Sequence, residues 1–224
     1  MSWKPIEYKF VLLGDSSVGK TAIFSRLSGN SFNEKSVSTI GTDKIVLNFD
    51  DVEITTNEKK NFQITLFDTA GQERYRSITK TYFKDSQGII LIYSIINAVS
   101  FEHVQVWLES IKESLSDWKR SGYIVMLLGN KLDIAEENEE KREVSYDEAE
   151  KLCKDQGIYW GGECSAKTFD FDKIKEIFEQ LTKEVYLKLK EDDISNQKQK
   201  SATLKDLIPH KKKKRNNCCQ KIEP

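Results

Sequence analysis

The sequence predicts an α/β protein with a mostly parallel six-stranded sheet and helices on both of its faces. Three observations lead to this fold class. Short apolar runs recur along the chain, they alternate with segments whose apolar residues have helical spacing, and glycine or polar clusters separate the two kinds of segment. Strands buried on both faces have continuous apolar sequences, which is typical of parallel sheets covered by helices.

The first strand is predicted at 8–13, because an apolar run there ends at Gly14. A Gly/Ser-rich loop follows, and 21–27 has the composition of a helix. Polar residues then dominate 28–41, so this segment is predicted as a loop.

The second and third strands are predicted at 44–49 and 61–67. Acidic and polar residues, 50–60, join them and predict a long hairpin. The most apolar run of the chain, 88–96, is predicted as a buried strand. No apolar run approaches 18 residues, so the sequence contains no candidate transmembrane helix.

The second half alternates regularly, with helices predicted at 101–114 and 145–155 and strands at 123–128 and 158–163. The last helix is predicted at 172–190 from five apolar residues at helical spacing. They are Ile174, Ile177, Phe178, Leu181 and Val185.

Composition favours one folded domain with appendages. The chain has 224 residues, of which 38% are hydrophobic and 32% charged, and it contains 11 Phe, 8 Tyr and 4 Trp, too many aromatics for a disordered chain. Residues 1–5 do not resemble a secretory leader, so a cytosolic protein is expected. Four cysteines at this length do not indicate a disulfide framework.

Three regions are predicted: an N-terminal extension (1–7), a globular domain (8–190) and a flexible basic tail (191–224). Net charge is −1, yet residues 211–215 are all Lys or Arg, so the tail is basic and the globule acidic. Such asymmetry suits a tail that binds anionic lipid, nucleic acid or an acidic partner.

The strongest motif is the phosphate loop, residues 14–21, which fits the pattern G-x-x-x-x-G-K-[ST]. Backbone N–H groups and the following helix N-terminus would surround phosphate oxygens, Lys20 would reach the β- and γ-phosphates, and the Thr21 hydroxyl would bind Mg²⁺. An ordinary Gly–Ser turn is the alternative, but the motif lies between a strand and a helix, as the function requires. The candidate phosphate-binding residues are Gly14, Asp15, Ser16, Ser17, Val18, Gly19, Lys20, Thr21 and Ala22.

Asp68 and Gly71 follow the strand predicted at 61–67. A carboxylate at a strand end suits magnesium bound through water, and the glycine lets a backbone N–H meet the γ-phosphate. Alone this segment reads equally well as a turn, but beside a phosphate loop it indicates a nucleotide site.

Two further segments, the base loops (130–133 and 164–167), follow the last two predicted strands. The Asp133 carboxylate can accept from N1–H and the 2-amino group of guanine, whereas adenine offers neither donor. The Ala166 N–H could donate to the guanine O6. The candidate base-binding residues are Asn130, Lys131, Asp133, Ser165, Ala166 and Lys167.

Over residues 6–190 the sequence resembles the small GTPases, and within them the Rab family. All five nucleotide motifs are present in order. The segments with Rab-like sequence are 38–41 (Ser-Thr-Ile-Gly), 67–79 and the tail with its Cys-Cys pair. This resemblance implies the P-loop NTPase fold of small G proteins, GTP and GDP as substrate and product, Mg²⁺ as cofactor, and slow GTP hydrolysis controlling vesicle traffic.

By this resemblance Thr39 ligates Mg²⁺ and senses the γ-phosphate, Phe32 lies against the guanine ring, and Gln72 orients the attacking water beside the catalytic Lys20. The sequence departs from the Rab pattern at Lys44, Phe67 and Ser94, so the resemblance does not assign particular partners.

The resemblance also implies a monomer that binds several partners. They are an exchange factor, a GTPase-activating protein, effectors at the switch regions (the segments around Thr39 and Gly71), a prenylation escort and a GDP-dissociation inhibitor. Geranylgeranylation of Cys218 and Cys219 would place it on the cytoplasmic face of intracellular membranes, cycling with the cytosol. Five residues follow the pair, more than is usual. Nucleic acid is not an expected partner, since no aromatic residue lies near the basic run.

Three alternatives stay open: a GTP-loaded scaffold with negligible turnover, a small GTPase of another Ras-superfamily branch, and an ATP-using P-loop kinase. Gln72 argues against the first and residues 130–133 against the last. The remaining conspicuous side chains receive structural interpretations, with His103 on a helix surface, Cys153 facing the core, and three tryptophans packing: Trp107, Trp118 and Trp160.

Overall fold

The computed structural model describes residues 4–33, 42–69, 85–114 and 123–206. Within these ranges the strands are β1 (Ile6–Leu13), β2 (Thr42–Thr55), β3 (Glu58–Thr69), β4 (Gly88–Ser94), β5 (Ile124–Asn130) and β6 (Tyr159–Glu163). The helices are α1 (Lys20–Leu27), α2 (Ala98–Ser114), α3 (Leu132–Glu137), a short 3₁₀ turn (Glu139–Lys141), α4 (Tyr146–Gln156) and α5 (Phe171–Asp206).

The six strands form one sheet in the order β2-β3-β1-β4-β5-β6. β2 runs antiparallel to β3, and every other neighbouring pair is parallel. The predicted fold class is therefore confirmed. Because β1 lies in the middle, the loop that follows it opens at the carboxyl edge of the sheet, where parallel α/β folds place their ligands.

Two cores cover the two faces of the sheet, and alternate residues of β1 enter each. Phe10 and Leu12 join the core formed with α1 and α5, whereas Val11 and Leu13 join the core formed with α2 and α4. A strand with apolar residues on both sides can lie only in the interior of such a sandwich.

The β2–β3 hairpin is longer than the two predicted strands, since pairing extends through most of residues 50–60. A register shift lies between Phe49 and Val52. The tip is held by α5, because the Tyr186 hydroxyl and the Lys190 ammonium each donate to the Glu58 carboxylate at 3.0 Å.

The boundary predicted at residue 190 is wrong as the end of helical structure, because α5 continues to Asp206. Residues 191–206 contain neither glycine nor proline, and Lys188 pairs with Asp192 one turn on, so nothing in the sequence stops the helix. The prediction relied on apolar periodicity, which reports only helix that packs on a core. No helix in the described ranges has the length and apolar character to cross a membrane.

Candidate functional site

The phosphate loop connects β1 to α1 at the carboxyl edge of the sheet. Lys20, the first residue of α1, is buried, and its ammonium donates to two carbonyls of the same loop, Gly14 at 2.9 Å and Asp15 at 2.7 Å. The chain thus wraps around the lysine amine and holds it inside the loop. A lysine ammonium is a donor with no acceptor, so it suits phosphate oxygens.

Gly19 caps α1 in a left-handed conformation, with φ of 102°. A Cβ at this position would lie 2.1 Å from the side-chain nitrogen of Asn130. The glycine therefore allows the phosphate loop and the first base loop to approach each other closely.

Thr21 and Asp68 meet from two different elements. The Thr21 hydroxyl, on α1, donates to the Asp68 carboxylate, at the end of β3, at 2.7 Å. A hydroxyl and a carboxylate side by side are hard oxygen ligands of the kind magnesium prefers, so this pair fits Mg²⁺. Among the described residues no group of three or more His, Cys, Asp or Glu side chains is placed to hold a metal.

Asn130 joins the two halves of the site. Its amide nitrogen donates to the Val18 carbonyl in the phosphate loop at 2.9 Å, and its amide oxygen accepts the Ala166 N–H from the second base loop at 3.1 Å. The side chain is buried. One amide thereby fixes the spacing between three loops that lie far apart in sequence.

Asp133 and Ser165 form a buried pair between the two base loops. The Ser165 hydroxyl donates to Asp133 Oδ1 at 2.6 Å and accepts the backbone N–H groups of Lys167 and Thr168 at 3.2 and 3.0 Å. Since its acceptor positions are used, the hydroxyl can only donate to residue 133. This arrangement fixes the orientation of the Asp133 carboxylate.

Lys131 lies in the first base loop, between Asn130 and Asp133, and has a left-handed conformation with φ of 73°. Burial lowers the pKa of its ammonium, and the nearby Asp133 opposes that shift. A partly desolvated lysine stem beside the base loops offers apolar surface for a planar ring.

An ion pair supports the second base loop from behind. Arg142 binds the Glu163 carboxylate through both of its terminal nitrogens, at 2.6 and 2.9 Å, and only 8% of the Glu163 side chain is exposed. These bonds raise the pKa of the Arg142 guanidinium. Because Glu163 directly precedes the second base loop, the pair anchors that loop to the segment before α4.

Sequence reasoning missed two residues that contact the phosphate loop. The Asp15 carboxylate accepts from His103 and from the indole N–H of Trp107, both on α2. Trp107 packs in the core, as predicted. His103 is half-exposed, but it also binds the phosphate loop through Asp15, which the surface interpretation did not include. Their spacing of four places them on one helix face, but no sequence signal links that face to Asp15.

The other predicted residues are placed as follows. Ser16 and Ser17 are exposed in the phosphate loop, Ala22 packs against the core, and Phe32 is half-buried. Cys153 faces the core, where burial raises the pKa of its thiol to about 12. Five predicted residues and one tryptophan lie outside the described residues: Thr39, Gly71, Gln72, Cys218, Cys219 and Trp118.

Sequence comparison relates the chain to known proteins. A sequence model described as the Ras family matches residues 9–187. The chain is 39% identical to Ras-related protein Rab-13 of Mesocricetus auratus over 211 residues, which cover 94% of this chain and 95% of the relative. Identity to Rab-10 of Caenorhabditis elegans is 36%, covering 95% and 96%, and identity to human Rab-8B is 39%, covering 81% and 80%.

Proposed function

The chain belongs to the Ras family as a Rab-type small GTPase, and we propose that its phosphate loop and two base loops together form its guanine-nucleotide site. Proteins of this kind hydrolyse GTP to GDP and phosphate, cycle between the two bound states, and regulate vesicle-mediated membrane traffic. The observation that supports the proposed site best is Asn130, whose single amide binds both the phosphate loop and the second base loop.

Lys20 is proposed as the catalytic cation. Its amine is already held by the Gly14 and Asp15 carbonyls, so it needs little rearrangement to meet the β- and γ-phosphates. Preorganised charge of this kind stabilises negative charge that develops during phosphoryl transfer.

Thr21 would bind Mg²⁺ directly and Asp68 would do so through water, because their oxygens already lie together. Thr39 is proposed as a further ligand. When bound, the metal neutralises charge on the phosphate oxygens. The chain's own contribution is the Thr21–Asp68 contact, which ties the start of α1 to the end of β3.

Gln72 is proposed to orient the water that attacks the γ-phosphate in line with the bond to the leaving oxygen. That attack forms inorganic phosphate and leaves GDP. Contacts from Thr39 and Gly71 to the γ-phosphate are then lost. The segment around each of these residues therefore relaxes, and effectors dissociate.

Unassisted turnover is expected to be slow, about 10⁻⁴ to 10⁻³ s⁻¹, because no arginine lies between Ser28 and Thr39 to stabilise the transition state in cis. An activating protein that inserts an arginine should raise the rate greatly.

Gln72→Leu should lower the assisted rate by roughly 100-fold, measured as phosphate release in a single turnover. Gln180→Leu, on the exposed surface of α5, is the matched control and should hydrolyse GTP like the natural chain.

Unassisted turnover near 1 s⁻¹ would show that the chain needs no arginine from an activating protein, and it would overturn this rate assignment. An assisted rate unchanged in Gln72→Leu would remove the role given to that side chain.

We also propose a lipid anchor in the tail. Rab-type GTPases have regulators and effectors in general, and those proposed for this chain are the exchange factor, activating protein, switch-region effectors, prenylation escort and GDP-dissociation inhibitor named above. Geranylgeranylation of both Cys218 and Cys219 would anchor the protein stably in membranes, whereas a single lipid group gives only marginal membrane binding. Residues 211–215 add about 1 kcal/mol for each charge near an anionic leaflet.

Intact-mass measurement on protein from its native cell tests the anchor. We expect the mass of the natural chain to be increased by two geranylgeranyl groups. We also expect the modified protein on the cytoplasmic face of intracellular membranes. A variant with both cysteines changed to serine should lack the added mass and leave the membrane pellet. An unmodified tail on a chain that still sediments with membranes would refute the anchor.

A further inference from the structure

The side chain of Asp15 points from the phosphate loop toward α2. Its two carboxylate oxygens have separate donors there, with Trp107 Nε1 at 2.8 Å from Oδ1 and His103 Nδ1 at 2.5 Å from Oδ2. Only 16% of the Asp15 side chain is exposed. Charge-assisted bonds of this length are among the stronger hydrogen bonds in proteins.

The same residue binds Lys20 through its backbone. The Asp15 carbonyl accepts from the Lys20 ammonium at 2.7 Å, so Asp15 is held on one side by α2 and itself holds the lysine on the other. A shift of Asp15 would therefore move one of the two carbonyls that position the Lys20 amine.

Helix α2 is a rigid support for this contact. Its inner face is buried in the core through Val104, Leu108 and Ile111. Its first turn is also tied to the sheet, since the Ser100 hydroxyl accepts the Ser94 N–H at 3.0 Å. Residues held by packing in this way can hold a loop in one geometry.

We infer that His103 and Trp107 are positioning residues of the phosphate loop, which slow nucleotide release by fixing Asp15 and, through it, the Lys20 amine. This inference rests on the proposed nucleotide site. Neither side chain is assigned a contact with the nucleotide. Their effect should therefore be confined to ligands that use Lys20.

The test is the rate at which bound fluorescent GDP leaves the full chain after addition of excess unlabelled GDP. His103→Ala and Trp107→Phe each remove one donor to Asp15, and each should release GDP about tenfold faster. His103→Asn, which keeps an N–H donor of similar reach, should restore most of the slow rate. Glu109→Ala, at an exposed position of the same helix, should release GDP like the natural chain.

Two readouts separate positioning from general support of the fold. In an Asp15→Ala background, His103→Ala should cause no further acceleration, because the group it holds is gone. His103→Ala should also weaken GDP more than GMP, since GMP lacks the β-phosphate that Lys20 reaches. Equal weakening of both nucleotides, or additive effects with Asp15→Ala, would overturn the inference.

Failure of the proposed site would look different. If the natural chain bound neither GDP nor GTP, the proposed guanine-nucleotide site would be wrong. If the natural chain retained GDP and the His103 and Trp107 variants retained it equally, only the positioning role would be lost.

Discussion

Replacing Asp133 with asparagine is expected to move the preference of this GTPase from guanine to xanthine nucleotides. The Ser165 hydroxyl uses its acceptor positions on two backbone N–H groups, so it must donate to residue 133. In the variant the amide oxygen would therefore turn to Ser165 and the amide nitrogen toward the base. That nitrogen would face the 2-amino group of guanine, a donor, but the 2-oxo group of xanthine, an acceptor.

The expected loss of GTP affinity is about 100- to 1,000-fold, because one charge-assisted bond disappears and two buried donors are left facing each other. XTP should bind more tightly than GTP. Equilibrium titration with both nucleotides measures the change, and Asp147→Asn, the same substitution at an exposed position of α4, should bind GTP normally.

Undiminished GTP affinity in Asp133→Asn would show that this carboxylate does not bind the base. A variant that simply misfolds is recognised separately, since neither nucleotide would then raise its melting temperature. Selective stabilisation by xanthine nucleotides is the expected result.

Replacing Gly19 with alanine is expected to abolish tight nucleotide binding. The new Cβ would lie 2.1 Å from the Asn130 amide nitrogen, so Asn130 must move and lose its bonds to the Val18 carbonyl and the Ala166 N–H. Both halves of the nucleotide site would separate from each other. We expect GTP affinity to fall at least about 100-fold, since several buried hydrogen bonds are lost at once.

Gly29→Ala is the matched control for this change. Gly29 also has a positive φ, 81°, but no atom lies within 4 Å of an added Cβ. It therefore shares the backbone strain without the collision, and its GTP affinity should stay within a few-fold of the natural value. If Gly19→Ala bound GTP as well as Gly29→Ala does, Asn130 would not be the link between the loops.

The sheet, its helices and the GTPase family were predictable because the signals are local. Apolar runs mark the buried strands, and the phosphate loop carries its glycines and lysine within eight consecutive residues. The roles given to individual site residues, Gln72 and Thr39 among them, stay predictions. The length of α5, which ends at Asp206, was not predictable from apolar spacing, because that spacing marks only the turns of a helix that pack on a core.

The sequence by itself determined the fold class, the strand-by-strand positions of the nucleotide motifs and membership of a GTPase family, since each depends on short-range pattern. Only the tertiary structure decided that Asn130 links the loops, that Arg142 anchors Glu163, and that His103 binds Asp15 across 88 residues of chain. Such bonds form between side chains that the packing of α2 and the sheet brings together. Their geometry therefore depends on the assembled core, which no local pattern of residues encodes.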